Sequence, residues 1–209
     1  MKITYYDELP STNSLAAEAA REGCEELFVV VARRQSAGRG RLSRSFFSPR
    51  GGLYFSTVLR PDFPMADYGR LTPFAAVAVW RALSAYTQRN LQIKWVNDIL
   101  LDGKKLCGIL AESGTDRFGK PFVILGIGIN TARVDFPPDV AEIATYLEIE
   151  DTATLAEQIL HGLKDYNRAV FESAWVEEYR AHAAFLGERV RVMQGDETYF
   201  ATVLDIEPD

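Results

Sequence analysis

The run Gln35-Ser36-Ala37-Gly38-Arg39-Gly40-Arg41-Leu42-Ser43-Arg44 holds three arginines within six residues, with Gly38 and Gly40 among them. Glycines let a backbone fold close around a small anion, and guanidinium groups pair bidentately with carboxylate or phosphate. Such a loop suits a negatively charged ligand, one that bears phosphate. A solvated basic loop is the alternative for this run taken alone.

Four further segments carry groups that could act with it. They are Ser11-Thr12-Asn13, Ile93-Lys94-Trp95-Val96-Asn97-Asp98, Lys104-Lys105-Leu106-Cys107-Gly108-Ile109-Leu110-Ala111-Glu112, and Gly126-Ile127-Gly128-Ile129-Asn130. Lys104 and Lys105 are neighbours on a strand pattern, so only one of them can face a pocket. Asn97 and Asp98 stand at a strand break, where side chains are redirected; a plain Asn-Asp turn is the other reading. Ser11 and Thr12 are also good helix caps.

In this order and spacing the segments resemble the biotin protein ligases, also called biotin–[acetyl-CoA-carboxylase] ligases, from about Tyr5 to the last residue. The resemblance implies a two-step reaction. Biotin carboxylate attacks the α-phosphate of ATP to give biotinyl-5′-AMP and pyrophosphate, and a carrier-protein lysine then takes the biotinyl group. It assigns biotin to Ser11, Thr12, Asn13 and Gln35, with Gly38, Arg39, Arg41, Lys105 and Gly108 completing the pocket. Hydroxyls and amides supply the paired donors and acceptors that a ureido ring needs. Nucleotide contacts fall to Arg41, Arg44 and Phe46, to Lys94, Asn97 and Asp98, and to Lys105 and Asn130. Lys105 and Arg41 are the catalytic cations, and the glycines before Asn130 let ligand lie close to the backbone. Asp98 is the expected ligand of Mg²⁺ carried on the triphosphate, since Mg²⁺ takes one or two carboxylates plus phosphates. ATP with Mg²⁺ and biotin are thus substrates, with no permanently bound cofactor, and the partner is a biotin carboxyl carrier protein. Family members include monomers and homodimers.

Two departures stand out. Val96 occupies a position where the family commonly has proline, and Phe46 one where some members have tryptophan. Lipoate–protein ligase is the nearest rival, but Gly51-Gly52-Leu53-Tyr54-Phe55-Ser56 lacks the His-Asp expected there, and the chain has only two histidines. A non-catalytic sensor of biotin or its adenylate would not need Lys105. A nucleic-acid module would need a recognition helix or a basic stacking surface, which the pattern lacks.

The elements that must hold these residues read as follows. Thr12 or Asn13 opens a helix to about Glu22, with Gly23 as its stop. Leu27 to Ala32 and Leu53 to Leu59 are buried strands. Thr72-Pro73 opens a helix to about Gln88. Ile93 to Val96 and Ile99 to Leu101 are short strands, Asp102-Gly103 is a hairpin turn, and the chain returns through Lys105 to Glu112. Pro121 to Ile129 is another strand. Thr154 to Glu157 forms a capping box for a helix to about Phe171, followed by one from Ala174 to Ala184. Tight hairpins make the sheet mostly antiparallel, so the expected fold is α+β. It is a mixed sheet flanked by helices, like the class II aminoacyl-tRNA synthetase/biotin synthetase fold, over residues 1–187. Residues 188–209, with strands Arg189 to Met193 and Tyr199 to Ile206 around a Gln194–Glu197 turn, read as an incomplete SH3-like β-barrel. With the resemblance starting near Tyr5, the expectation is a monofunctional type without an N-terminal DNA-binding domain.

Composition agrees. The 209 residues are 47% apolar and 25% charged, with formal net charge −6. An acidic body with one basic loop suits focused anion capture better than non-specific nucleic-acid binding. No membrane helix or signal-peptide pattern is visible, and Cys24 and Cys107 form neither a zinc pattern nor a disulfide framework, so a cytoplasmic location is expected.

Overall fold

Alternation along the strands decides the two faces of the sheet. The computed structural model describes residues 2–195 and 197–207. Strands β1 (Lys2–Tyr6), β2 (Phe28–Ala32), β3 (Leu53–Leu59), β4 (Leu91–Lys94), β5 (Asp98–Leu101), β6 (Lys104–Thr115) and β7 (Pro121–Ile129) form one sheet in the order β1-β2-β3-β7-β6-β5-β4. Only β1 and β2 run parallel; the other pairs are antiparallel, so the mixed, mostly antiparallel sheet is as expected. A parallel pair needs a crossover, and helix α1 (Thr12–Arg21) provides it.

The larger core lies on one face. Val29 and Val31 of β2, Phe55 of β3 and Val123, Leu125, Ile127 and Ile129 of β7 meet the helices there. Those helices are α2 (Leu71–Ser84), α4 (Thr152–Gly162), α5 (Tyr166–Ala169) and α6 (Ala174–Ala181), of which α2, α4 and α6 supply most of the packing; the short α3 (Pro138–Ala141) buries no residue. The smaller cluster under α1 uses the intervening residues: Val30, Val58, Phe122 and Ile124 against Ala16 and Ala20. Continuing that alternation puts Ser56, Gly126 and Gly128 on the α1 face, beyond the end of its apolar patch.

Several boundaries differ from expectation. Helix α2 begins at Leu71 behind a 3₁₀ turn over Met65–Arg70, so Thr72 lies inside the first turn and does not cap it. It stops at Ser84, because the chain turns there to enter β4. Helix α4 is capped by Asp151, whose carboxylate accepts the Thr154 N–H at 3.0 Å, in place of the expected capping box. The chain then breaks after Gly162 and re-enters as α5, which buries Tyr166. Strands β8 (Arg189–Gln194) and β9 (Glu197–Thr202) form a separate hairpin; the turn between them includes Asp196, which lies outside the described residues. After β9 the chain returns to the main unit, with Ile206 buried in the larger core and Arg180 Nε 2.7 Å from Asp205 Oδ1. The boundary expected after residue 187 is therefore crossed by a core contact.

Candidate active site

Three glycines shape the floor of a cleft on the α1 face. Gly108 of β6 is paired with Gly128 of β7, and Gly126 lies two residues earlier on the same side. The space that their missing side chains leave is filled from within the protein. The Phe46 ring lies over Gly128, 2.6 Å from where a Cβ would stand, and also over Gly108 at 3.0 Å; the Asn13 amide covers Gly126. These glycines seat Phe46 and Asn13 and line the cleft beside them. The cleft is open to solvent. Ser11, Thr12, Asn13, Gln35, Arg39, Arg41, Phe46, Asn97, Lys105 and Gly108 line it, joined by Gly40 and by β6 and β7 residues such as Leu110 and Ile127.

A hydrogen-bonded wall stands at one end. The Gln35 carboxamide oxygen accepts the Thr12 backbone N–H at 2.8 Å and its hydroxyl at 3.1 Å. Gln35 therefore satisfies an N–H of the first turn of α1, a task usually left to a capping side chain; Ser11, at the cap position, makes no side-chain cap bond. The Gln35 Nε2 donates to Ser48 Oγ at 2.9 Å, and Ser48 donates to the Phe46 carbonyl. The Ser56 hydroxyl lies 2.7 Å from Thr12 Oγ1 and 2.6 Å from Asn13 Oδ1. Asn13 Nδ2 donates to Glu112 Oε2 at 2.7 Å, and the same oxygen meets Arg39 Nη2 at 2.8 Å.

The arginine loop closes on itself. Phe46 N–H donates to the Gly38 carbonyl, and Gly40 N–H to that of Arg44. A Cβ on Gly38 would crowd the Phe46 carbonyl and Ser48 Oγ, so only glycine fits. Below the loop, the Tyr54 hydroxyl donates to the Pro49 carbonyl, and burial pushes that phenol well above its ordinary range, keeping it a donor. Arg41 and Arg44 are exposed; Arg41 reaches the cleft, and Arg44 is not among its lining residues.

Lys105 enters the cleft through a bulge. Strands β5 and β6 pair Ile99 with Cys107 and Leu100 with Lys105, so Leu106 has no partner of its own. One extra residue reverses the alternation. Without it Lys105 would share the core side of Cys107 and Ile109; with it the amine comes to 3.1 Å from the Gly108 Cβ position and 5.6 Å from the centre of the Phe46 ring. Its Nζ is 2.7 Å from Asp98 Oδ1. Lys104 is exposed and donates to the Ala141 carbonyl. Cys107 is buried, which pushes its thiol far up despite the nearby Lys105 charge.

Other assigned residues stand apart. Asn97 lines the cleft while its Nδ2 donates to the Ile109 carbonyl. Lys94 is exposed and Asn130 is buried, its amide donating to the Thr145 carbonyl; neither lines the cleft. Val96 follows a cis peptide bond. Asp98 contributes through its pair with Lys105, and no cluster of three His, Cys, Asp or Glu able to hold a metal occurs among the described residues. Sequence reading missed Glu112, Ser48 and Ser56. Glu112 closes a motif already noticed, whereas the two serines carry no local signal.

One cleft therefore offers a neutral polar wall at one end and the cations Arg41 and Lys105 along it, an arrangement for an acid that must meet a phosphate. A profile of the biotin/lipoate A/B protein ligase family matches residues 5–130. The "Bifunctional ligase/repressor BirA" of Bacillus spizizenii is 36% identical over 219 aligned positions, covering 99% of this chain and 67% of that protein. The "Biotin--[acetyl-CoA-carboxylase] ligase" of Mycobacterium tuberculosis is 32% identical, covering 94% of this chain and 77% of that protein. Among solved structures, "Biotin protein ligase from Aquifex aeolicus in complex with biotin and ATP" superposes with a TM-score of 0.84 at 26% identity, covering 99% of this chain and 88% of that one.

Proposed function

The chain belongs to the biotin/lipoate A/B protein ligase family, matched over residues 5–130, and on that premise we propose how its cleft performs ATP-dependent biotinylation of a carrier protein. The relatives named above are ligases and, in the solved complex, hold biotin and ATP. A biotin carboxylate oxygen attacks the α-phosphorus, and the bond to pyrophosphate breaks. The amine of a carrier lysine then attacks the acyl carbon, losing a proton as AMP leaves. Both steps gather negative charge at the α-phosphate, so positioned cations supply the main stabilisation.

The observation that carries this reading is the bulge at Leu106, which puts the Lys105 amine in the same cleft as the Thr12–Gln35 wall. In this reading the wall takes the ureido ring, with Ser11, Thr12, Asn13 and Gln35 as partners, while Gly38 and Arg39 close its edge. Phe46 and Gly108 form the floor. Lys105 leaves Asp98 and bridges the biotin carboxylate and α-phosphate; Arg41, with Arg44 and Lys94 further out, faces the triphosphate. Mg²⁺ would enter as part of the ATP substrate, and Asp98, once Lys105 has left it, would be the carboxylate available to meet it. Asn130 supports the nucleotide side by fixing the Thr145 segment. A wider, solvent-open cleft, lined by Tyr68, Thr72, Trp95 and Ser113, shares Arg41 and Ile109 with the first and in this reading gives the carrier lysine its approach. The partner is the carrier domain of a biotin-dependent carboxylase, in keeping with the acetyl-CoA-carboxylase relatives. In this reading the two-stranded hairpin of β8 and β9 is an SH3-like segment.

No helix among the described residues is long and apolar enough to cross a membrane. Mixing the protein with biotin and ATP and analysing the products by mass tests the first step. Biotinyl-5′-AMP and pyrophosphate are expected; biotin binding with no ATP turnover would favour the sensor reading and overturn this one.

A further inference from the structure

We propose that Glu112 is a positioning residue that sets the orientation of the Asn13 amide, and through it the donor and acceptor pattern of the cleft's polar wall; this rests on the biotin-ligase reading above. Glu112 stands on β6 on the α1 side, and one of its oxygens receives both Asn13 Nδ2 at 2.7 Å and Arg39 Nη2 at 2.8 Å. It is a carboxylate, so it can only accept, and the end of Asn13 facing it must be the NH₂. That turns Asn13 Oδ1 toward Ser56 at 2.6 Å and into the space over Gly126 that no Cβ occupies.

The consequence passes along the wall. Ser56, Thr12 and Gln35 are linked by contacts of 2.7 and 3.1 Å, and two hydroxyl protons must serve the three contacts Asn13–Ser56, Ser56–Thr12 and Thr12–Gln35. Gln35 Oε1 accepts from Thr12 in either case, so it is the proton of Ser56, given to Asn13 or to Thr12, that depends on which end of Asn13 faces it. If Asn13 turned over, its NH₂ would face Ser56, the Ser56 hydroxyl would give its proton to Thr12 instead, and the wall would present a different face to a ring with fixed donors and acceptors. A carboxylate at position 112 forbids that flip. Its second task is electrostatic: the Arg39 guanidinium is held across the rim at the end of the cleft away from Lys105, where the uncharged part of the substrate would lie.

The test exchanges the two groups without changing their shapes. Glu112→Gln, Asn13→Asp and the double variant are compared with the unaltered protein for pyrophosphate release. KM for biotin, KM for ATP and kcat are read separately, with thermal midpoints to confirm folding. Asn13→Asp sets two carboxylates face to face and should raise the biotin KM about tenfold or more. Glu112→Gln permits both amide orientations and should raise it several-fold. The double variant restores a carboxylate–amide pair with the roles exchanged and should recover most of the loss seen in Asn13→Asp, with the ATP KM within about twofold throughout. A double variant as poor as the combined single effects, or a parallel rise in the ATP KM, would overturn the proposal. Failure of the unaltered protein to release pyrophosphate would instead count against the ligase reading.

Discussion

Lys105 has its amine 2.7 Å from Asp98 Oδ1, and the mechanism proposed above asks it to leave that partner for the substrate's anions. Lys105→Ala should lower biotinyl-5′-AMP formation about 100-fold or more, the scale seen when one charge-stabilising group is lost from a closed site. Biotin binding by calorimetry should change only a few-fold, because the Thr12–Gln35 wall is untouched. Lys104→Ala, which removes one exposed bond to the Ala141 carbonyl, should be close to silent. Equal losses in the two variants would refute the placement. The sequence could say that only one of the two lysines faces the cleft. Strict alternation back from Gly108 would have chosen Lys104, and only the motif's order pointed to Lys105. The bulge that reconciles them has no signal in Leu106 itself. Ser48 and Ser56 were invisible for a similar reason: their partners are distant in sequence.

At the scale of elements, the far end of the sheet is fastened by charge. Arg60, following β3, places Nη1 2.9 Å from Asp116 Oδ2 and donates to the Cys24 and Ala20 carbonyls, tying the end of α1 to the β6–β7 turn. The Asp116 side chain is 2% exposed. Burial alone would raise its pKa, yet the Lys120 and Phe118 N–H groups and Arg60 outweigh that and hold it below the ordinary 3.8. A depressed carboxylate stabilises the fold fully above its unfolded pKa, and that contribution disappears as the pH falls through the lower folded value. Asp116→Asn should therefore lower the urea midpoint at neutral pH, with the gap to the unaltered protein narrowing below about pH 4. A gap that is constant or widens on acidification would contradict this. Strands β3 and β7 match their expected bounds, because long apolar runs ended by proline or glycine leave little choice. Helix ends were harder to read. Tyr166 breaks the expected long helix by turning inward to Glu26 and the Arg60 N–H, a contact across more than a hundred residues.

On the scale of the molecule, the ion-paired end of the sheet at Arg60 and Asp116 lies away from the cleft. The cleft edge depends on one loop held by Arg39–Glu112 and by backbone bonds that include Phe46 to Gly38 and Gly40 to Arg44, while Arg41 and Arg44 stay exposed. Trypsin should cut the unliganded protein first after Arg41 or Arg44, with saturating biotin and ATP slowing cleavage after Arg41 most, as ligand phosphates engage it. Cleavage rates unaffected by both ligands would show that the loop takes no part in binding. The mixed sheet and its helices were legible from hairpin turns and apolar runs. The return of Ile206 to the core was not, since a single isoleucine after a polar hairpin carries no periodic signal.

The central claim is selective, ATP-driven transfer of biotin, and a competition measures it directly. The protein is incubated with ATP, magnesium, a biotin carboxyl carrier domain and equal concentrations of biotin and lipoate, and the carrier's intact mass is followed over time. One biotinyl group on a single carrier lysine, no lipoyl group, and an unmodified carrier when ATP is withheld are expected. A lipoylated carrier, or a carrier that stays unmodified while the adenylate accumulates unused, would contradict it.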